Sequence, residues 1–302
     1  MFTPAYLKKG DKIAIISTAR KIKAEDIKAA VEVIEGWGLK VVLGKNLFCD
    51  FNQFAGTDQQ RADDLQFCLD DESIKAILTA RGGYGTVRII DRIDYSRFKQ
   101  NPKWICGYSD TTVLHSHIHK LGFETLHCEM PFRFADVDKD SLNSLKKCLF
   151  GEVLTYNLGF NILNRQGKAK GILVGGNLSI LYSLAGSISD LNTEGKILFI
   201  EDLDEYLYHI DRMMQALKRS GKLSGLAGLI VGGMTEMKDN IVPFGKSAEE
   251  IIINTVKEYN YPVCFGFNAG HTFNNLALIL GRQIELNVYS DMCSLIFMKQ
   301  KK

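Results

Sequence analysis

The 302-residue chain has no strong excess of charge, no paired cysteines at short spacing and no long apolar run. Each of these shortages closes off a class of function. No stretch approaches the roughly 18 consecutive apolar residues that a membrane-spanning helix needs. The first residues, MFTPAYLKKGDKIAII, lack a basic start followed by a long apolar core and a small-residue cleavage site, so no secretory signal is expected. Lys and Arg number 37 against 35 Asp and Glu, a formal net charge of +2. That balance argues against nucleic acid or an acidic membrane as partner. Seven cysteines are scattered, none in CxxC spacing. This disfavours a zinc or thioredoxin-type motif and suits free thiols in a reducing compartment, so the expected location is the cytoplasm. GxGxxG, P-loop and HExxH patterns are absent, so neither a nucleotide cofactor nor a metal is expected.

What is present is a soluble, globular composition, 46% hydrophobic and 24% charged, long enough for two domains of ordinary size. Five prolines and 27 glycines point to regular structure punctuated by tight turns. Lys12–Ser17, Leu39–Leu43, Ile74–Thr79 and Trp104–Cys106 are short apolar runs that read as buried parallel strands. They alternate with helical patterns over Ala24–Trp37, Thr57–Leu69 (Asp58, Arg61 and Asp64 expected toward solvent), Thr86–Ile93 and Thr111–Leu121. The βα alternation predicts a doubly wound α/β sheet.

After Leu126 the pattern changes. Residues 136–168 are mixed and polar, with a helical stretch near Ser141–Phe150, and read as a connection between domain 1–135 and domain 169–302. In the latter, strands are expected at Lys170–Val174, Lys196–Ile200, Leu229–Val231 and Val263–Phe267, and helices at Leu178–Ala185, Tyr206–Arg219 and Ser247–Val256. A closing hairpin is expected from Leu276–Leu280 and Gln283–Val288 across Gly281-Arg282.

Three of these strand ends carry chemistry. Ser109, in KWICGYSDTT, lies between a strand and a helix, where a hydroxyl can stand over the sheet edge beside free helix N–H groups. Glu201 and His271 end two later strands. A hydroxyl, an imidazole and a carboxylate are what nucleophilic hydrolysis needs, in any chain order. The plainer readings stand beside this one. Ser109 could cap its helix, His271 could bond to backbone, and Asp202, Asp204 and Glu205 compete with Glu201. ARGGYG, residues Ala80–Gly85, can present N–H groups to an anion, or be only a tight turn with Arg81 on the surface. His115 and His119 share a helical face, which metal sites can use, but no carboxylate accompanies them. Cys128 lacks a flanking pattern that would make it a nucleophile.

Taken in order, Asp11–Ser17, ARGGYG, GYSDTT (Gly107–Thr112), GGNL (Gly175–Leu178), IED (Ile200–Asp202) and GHTFNNLALILG (Gly270–Gly281) resemble the LD-carboxypeptidase family, serine peptidase family S66. Its members include muramoyltetrapeptide carboxypeptidases and microcin C self-immunity peptidases. The resemblance implies a flavodoxin-like N-terminal domain and a smaller α/β C-terminal domain of the swivelling β/β/α type. Ser109 matches the nucleophile, Glu201 the orienting acid and His271 the general base. It also implies an oxyanion hole from the backbone N–H groups of Asp110 and Gly83, no cofactor and no metal, and a homodimer. Arg81, with Tyr84 beside it, is a candidate for substrate binding, since a guanidinium fork suits a terminal carboxylate.

The expected function is a cytoplasmic LD-carboxypeptidase that releases the terminal D-alanine of a murein tetrapeptide in peptidoglycan recycling. A microcin-type immunity peptidase and a non-catalytic small-peptide binding protein are the alternatives. One departure stands out: a His-Gly-Pro-Met stretch common in the family reads His127-Cys128-Glu129-Met130 here, which could alter substrate fit.

Overall fold

A computed structural model describes residues Met1–Lys299. The chain forms two compact units, Met1–Glu152 with Phe273–Ile279, and Val153–Thr272 with the residues from Leu280 on.

The first unit begins with β1 (Lys12–Ile16), α1 (Lys28–Gly36), β2 (Lys40–Leu43), α2 (Asp58–Asp70) and β3 (Ile74–Thr79). It continues through α3 (Ser96–Gln100), β4 (Trp104–Gly107), α4 (Thr112–Lys120), β5 (Thr125–His127) and α5 (Lys139–Phe150). β1 pairs in parallel with both β2 and β3, β3 with β4, and β4 with β5. The resulting order 2-1-3-4-5 is flavodoxin-like. β4 is buried throughout and β3 at five of six positions. Strands covered on both faces read as continuous apolar runs, which is why the pattern in the sequence was clear.

The second unit contains β6 (Thr155–Gly159), β7 (Gly167–Asn177), α6 (Leu178–Ser183), β8 (Ile197–Leu203), α7 (Leu207–Arg219), β9 (Gly228–Thr235), α8 (Ala248–Thr255) and β10 (Val263–Cys264). The chain then supplies β11 (Leu278–Leu280) to the edge of the first sheet beside β5, and adds β12 (Gln283–Val288) and β13 (Met292–Phe297) to the second. The second sheet runs β10-β9-β8-β7-β12-β13-β6. Its β7–β10 half is parallel, and its β12, β13 and β6 strands are antiparallel. α7 and α8 close a core of Ile210, Met213, Met214, Ile251 and Ile252 against Leu198, Ile200 and Val231.

Three expectations are corrected. Leu276–Leu280 and Gln283–Val288 do not form a hairpin: β11 and β12 join different sheets, and β12 pairs with β7 and β13. Two adjacent apolar runs across a glycine do not say whether they pair with each other or with strands made elsewhere in the chain. Thr86–Ile93 is not a helix but two 3-10 turns, Thr86–Arg88 and Ile90–Arg92; five of its eight residues are β-branched, which weakens helix. Arg61 and Asp64 do not face solvent, being 1% and 4% exposed. The physical reason belongs to the site.

Candidate active site

In the first unit, β4 delivers the chain to a sharp turn. Tyr108 is extended, and Ser109 then takes φ +61, the left-handed region that a side chain rarely adopts. Such a conformation costs on the order of 1–2 kcal/mol and persists only where the surroundings fix it. They do so here through the strand behind it. The Gly107 carbonyl accepts from the N–H of Cys128 at 3.1 Å and from His115 Nε2 at 2.9 Å. Thr79 Oγ1 bonds to the Cys106 carbonyl at 3.2 Å and meets Thr111 Oγ1 at 2.7 Å. The Ser109 hydroxyl does not cap the helix that follows.

The loop after β3 passes against this turn. A Cβ on Gly82 would lie 2.9 Å from both Cβ and Oγ of Ser109, so only glycine lets the backbone approach the hydroxyl this closely. Gly83, with φ +108, follows, and its N–H donates to no group among the described residues. The far end of the loop is tied to the serine turn by Asp110. Its buried carboxylate accepts from the Thr86 N–H at 2.8 Å. Burial pushes that carboxyl upward, against the hydrogen bonds that favour its ionised form.

Arg61 explains its own burial. It donates from Nη1 to the carbonyls of Thr18 (2.6 Å) and Gly85 (3.0 Å), and from Nη2 to Asp58. Asp58 also pairs with Arg88 at 2.8 Å, and its carboxyl lies below the usual range because Arg88 donates to it. Arg61 thus joins the loop after β1 to the loop after β3. Asp64, the other residue expected outside, accepts from the Asn46 N–H and from Asn46 Nδ2, each at 2.9 Å. Arg61 lies with Leu65, Cys68 and Leu69 at helical spacing i, i+4, i+7, i+8, a stripe that could have revealed an inward-facing arginine.

In the second unit, Glu201 sits within β8 and is fully buried. Its Oε2 lies 2.7 Å from His271 Nδ1 and accepts the His271 N–H at 3.1 Å. The Thr235 hydroxyl at the end of β9 donates to the His271 carbonyl at 2.8 Å, fixing the histidine loop from the other side. A carboxylate on Nδ1 sets the tautomer that leaves Nε2 able to take a proton. Gly270 makes this contact possible: a Cβ there would stand 2.5 Å from both Cγ and Oε2 of Glu201. Asp202, next along the strand, has a structural task. It accepts from Asn177 Nδ2, Ser179 N–H and Leu203 N–H, each at 2.9 Å, and so holds the start of α6. Burial, with Glu201 beside it, pushes its carboxyl to about 7. Among the four acids open on sequence grounds, Glu201 is thus the one against His271. Asp204 pairs with Lys238 at 2.6 Å, and Glu205 with His209 at 2.6 Å.

The family models decide what kind of protein this is. The LD-carboxypeptidase N-terminal domain matches residues 13–128 and the C-terminal domain residues 170–286. A probable murein peptide carboxypeptidase of Bacillus subtilis (strain 168) is 36% identical over 298 residues, spanning 95% of this chain and 92% of the relative. The chain belongs to the LD-carboxypeptidase family. It is a serine carboxypeptidase. A murein tetrapeptide carboxypeptidase of Pseudomonas aeruginosa is 27% identical, with 90% of this chain and 91% of the relative covered. The crystal structure of a muramoyltetrapeptide carboxypeptidase from Oxalobacter formigenes superposes with a TM-score of 0.87 at 25% identity, covering 96% of the peptidase and 100% of that chain. The microcin C7 self-immunity protein MccF, in complex with aspartyl sulfamoyl adenosine, shares the fold at a TM-score of 0.87 and 23% identity, covering 99% of each chain.

Other residues singled out in the sequence take quieter places. His115 is buried, its pKa pushed down to about 3 by burial, and it supports the Gly107 carbonyl. The His117 ring lies 4.8 Å from that of Tyr95. No group of three His, Cys, Asp or Glu among the described residues could hold a metal ion. Cys128 is buried behind the serine turn. The Arg81 guanidinium lies over the Phe132 ring at 5.4 Å, and half-exposed Tyr84 packs beside Phe54. No helix of the described residues is long and apolar enough to cross a membrane.

Proposed function

We propose that the peptidase acts in the cytoplasm on murein tetrapeptides, releasing the terminal D-alanine in cell-wall recycling, with Ser109, His271 and Glu201 as its triad. The observation that carries this reading is the buried Glu201 carboxylate 2.7 Å from His271 Nδ1. Such a pair is what a serine hydrolase needs once a hydroxyl is brought to the other ring nitrogen. The left-handed turn at Ser109 and its unbonded neighbour N–H at Gly83 support the nucleophile and oxyanion roles. The names of the murein peptidase relatives support the substrate.

In the proposed reaction, Ser109 Oγ attacks the carbonyl carbon of the last amide while His271 Nε2 takes its proton. The N–H groups of Asp110 and Gly83 receive the oxyanion, each such donor being worth about 2.7–4 kcal/mol in the transition state. His271 returns the proton to the departing D-alanine nitrogen. Water, deprotonated by His271, then hydrolyses the acyl-enzyme. Glu201 holds the ring and stabilises its cation throughout. Metal chemistry has no step in this sequence.

The test is incubation with murein tetrapeptide and mass spectrometry for loss of one alanine. Loss with the wild type and none with Ser109→Ala is the expected result. No loss with the wild type, or equal loss with both, overturns the assignment. Running an aminoacyl sulfamoyl adenosine alongside separates the microcin-type activity: preferential cleavage of that compound would replace the murein reading.

A further inference from the structure

A carboxypeptidase has to recognise a free carboxylate, since that is what distinguishes a chain end from an internal amide. The first unit offers several arginines near the nucleophile turn, and they differ in what they already hold. Arg61 is buried and donates to two carbonyls and to Asp58. Arg88 donates to Asp58 from Nε and Nη2. Arg81, the candidate on sequence grounds, spends its guanidinium face on Phe132. Arg20 is exposed, and no carboxylate pairs with it among the described residues.

Its position is specific. Arg20 follows β1, and its N–H donates to the Gly82 carbonyl at 3.4 Å. Its side chain lies along Gly83: a Cβ there would stand 2.5 Å from Arg20 Cδ, 2.6 Å from Cγ and 2.8 Å from Nε. The arginine therefore rests on the residue next to Gly82, and Gly82 is the residue on which a Cβ would meet Ser109 Oγ. β1 and β3 are also where the winding of a 2-1-3-4-5 sheet reverses, and ligands of such sheets bind outside the strand ends at that reversal.

We propose that Arg20 binds the terminal carboxylate of the peptide, anchoring the residue that is released. The inference rests on Ser109 being the nucleophile. A terminal carboxylate is separated from the attacked carbonyl carbon by one nitrogen and one Cα, and the stem of Arg20 is likewise one residue along from the contact with Ser109. The planar fork can donate two parallel hydrogen bonds to a carboxylate, fixing its direction as well as its charge. A carboxylate on the side chain of the third residue, as in diaminopimelate, has the same chemistry, and the test separates the two.

Binding is measured by calorimetry in the Ser109→Ala protein, so that no turnover is needed. Three murein tetrapeptides are compared: the free acid with diaminopimelate at the third position, its C-terminal amide, and the free acid with lysine at the third position. The expected result is that both acids bind about ten- to a hundredfold more tightly than the amide. Adding Arg20→Ala should abolish that preference, Arg20→Lys should keep part of it, and Arg81→Ala should leave it in place. An Arg20→Ala loss confined to the two diaminopimelate peptides, amide included, would overturn the terminal assignment in favour of the side-chain carboxylate. Equal weakening of all three peptides, no weakening, or no acid preference to begin with overturns the role of Arg20 altogether. Failure of the wild type to hydrolyse the tetrapeptide would instead count against the proposed function and leave these binding comparisons standing.

Discussion

Gly270→Ala is the smallest change that tests whether Glu201 must sit where it does. Gly270 has φ +98, which for an L side chain costs on the order of 1–2 kcal/mol. The new methyl would stand 2.5 Å from Cγ and Oε2 of Glu201 and 2.6 Å from its Cβ. An ordinary contact of this kind needs about 3.5 Å, so one side must give by about 1 Å. The glutamate stem is part of a fully buried strand residue, and Cβ cannot swing away as a flexible tip would. The yielding group is therefore the carboxylate or the His271 loop. Either movement carries the 2.7 Å Nδ1 contact past the limit of a useful hydrogen bond. Wrong-tautomer variants of triad enzymes lose about 10⁴ in kcat. A carboxylate displaced but still present should cost about 10²–10⁴ here, with KM changed little, because Gly270 is not proposed to touch the substrate. Steady-state kinetics on the tetrapeptide give the split, and the downfield proton resonance of the Nδ1–H reports the bond directly. A kcat within about threefold of wild type, or a loss confined to KM, would refute the role of this contact.

Two further outcomes follow from the first unit. Arg61→Leu strands the Thr18 carbonyl, takes from the Gly85 carbonyl one of its two donors (the Arg88 N–H remains) and removes one of the partners of Asp58; breaking a buried pair in this way costs about 3–5 kcal/mol. Asp58 keeps Arg88, so the lower figure is expected, a fall in Tm of about 6–12 °C by calorimetry, together with reduced kcat/KM. An unchanged Tm would show that the guanidinium does not hold the two loops. His115 should contribute to acid stability. Its folded pKa, about 3, lies below the unfolded value near 6.5, so the unfolded chain binds the extra proton between those limits. Its contribution is complete above about pH 6.5 and lost as pH falls toward 3, at most about 5 kcal/mol. His115→Gln, which can still donate to the Gly107 carbonyl, should flatten that part of the denaturant-derived stability profile; an unaltered slope would remove His115 as its source.

The sequence by itself determined the elements whose evidence is local. Parallel strands buried on both faces write themselves as apolar runs, so β1, β3, β4 and β8 were legible, and so was the winding between the first of them. A serine between a strand and a helix, and a glycine loop at the next strand end, are likewise features of adjacent residues. The ordered motifs then named a family and, through it, Glu201 among four neighbouring acids.

Tertiary structure decided what depends on partners distant in the chain. Glu201 and His271 are 70 residues apart, and their contact exists because β8 and β9 run side by side and Gly270 admits the carboxylate. Arg61 and Asp64 read as surface charges because a polar residue carries no local mark of burial when its hydrogen-bond partners lie in other segments. β11 and β12 looked like one hairpin because an apolar run specifies that a strand will be covered, not which strand will cover it. The placement of Arg20 on Gly83 has the same origin: two loops after non-adjacent strands meet only where the sheet brings β1 beside β3. Periodicity and turn chemistry act over a few residues, whereas close approach, burial of charge and strand partnership are settled only when distant segments compete for the same space.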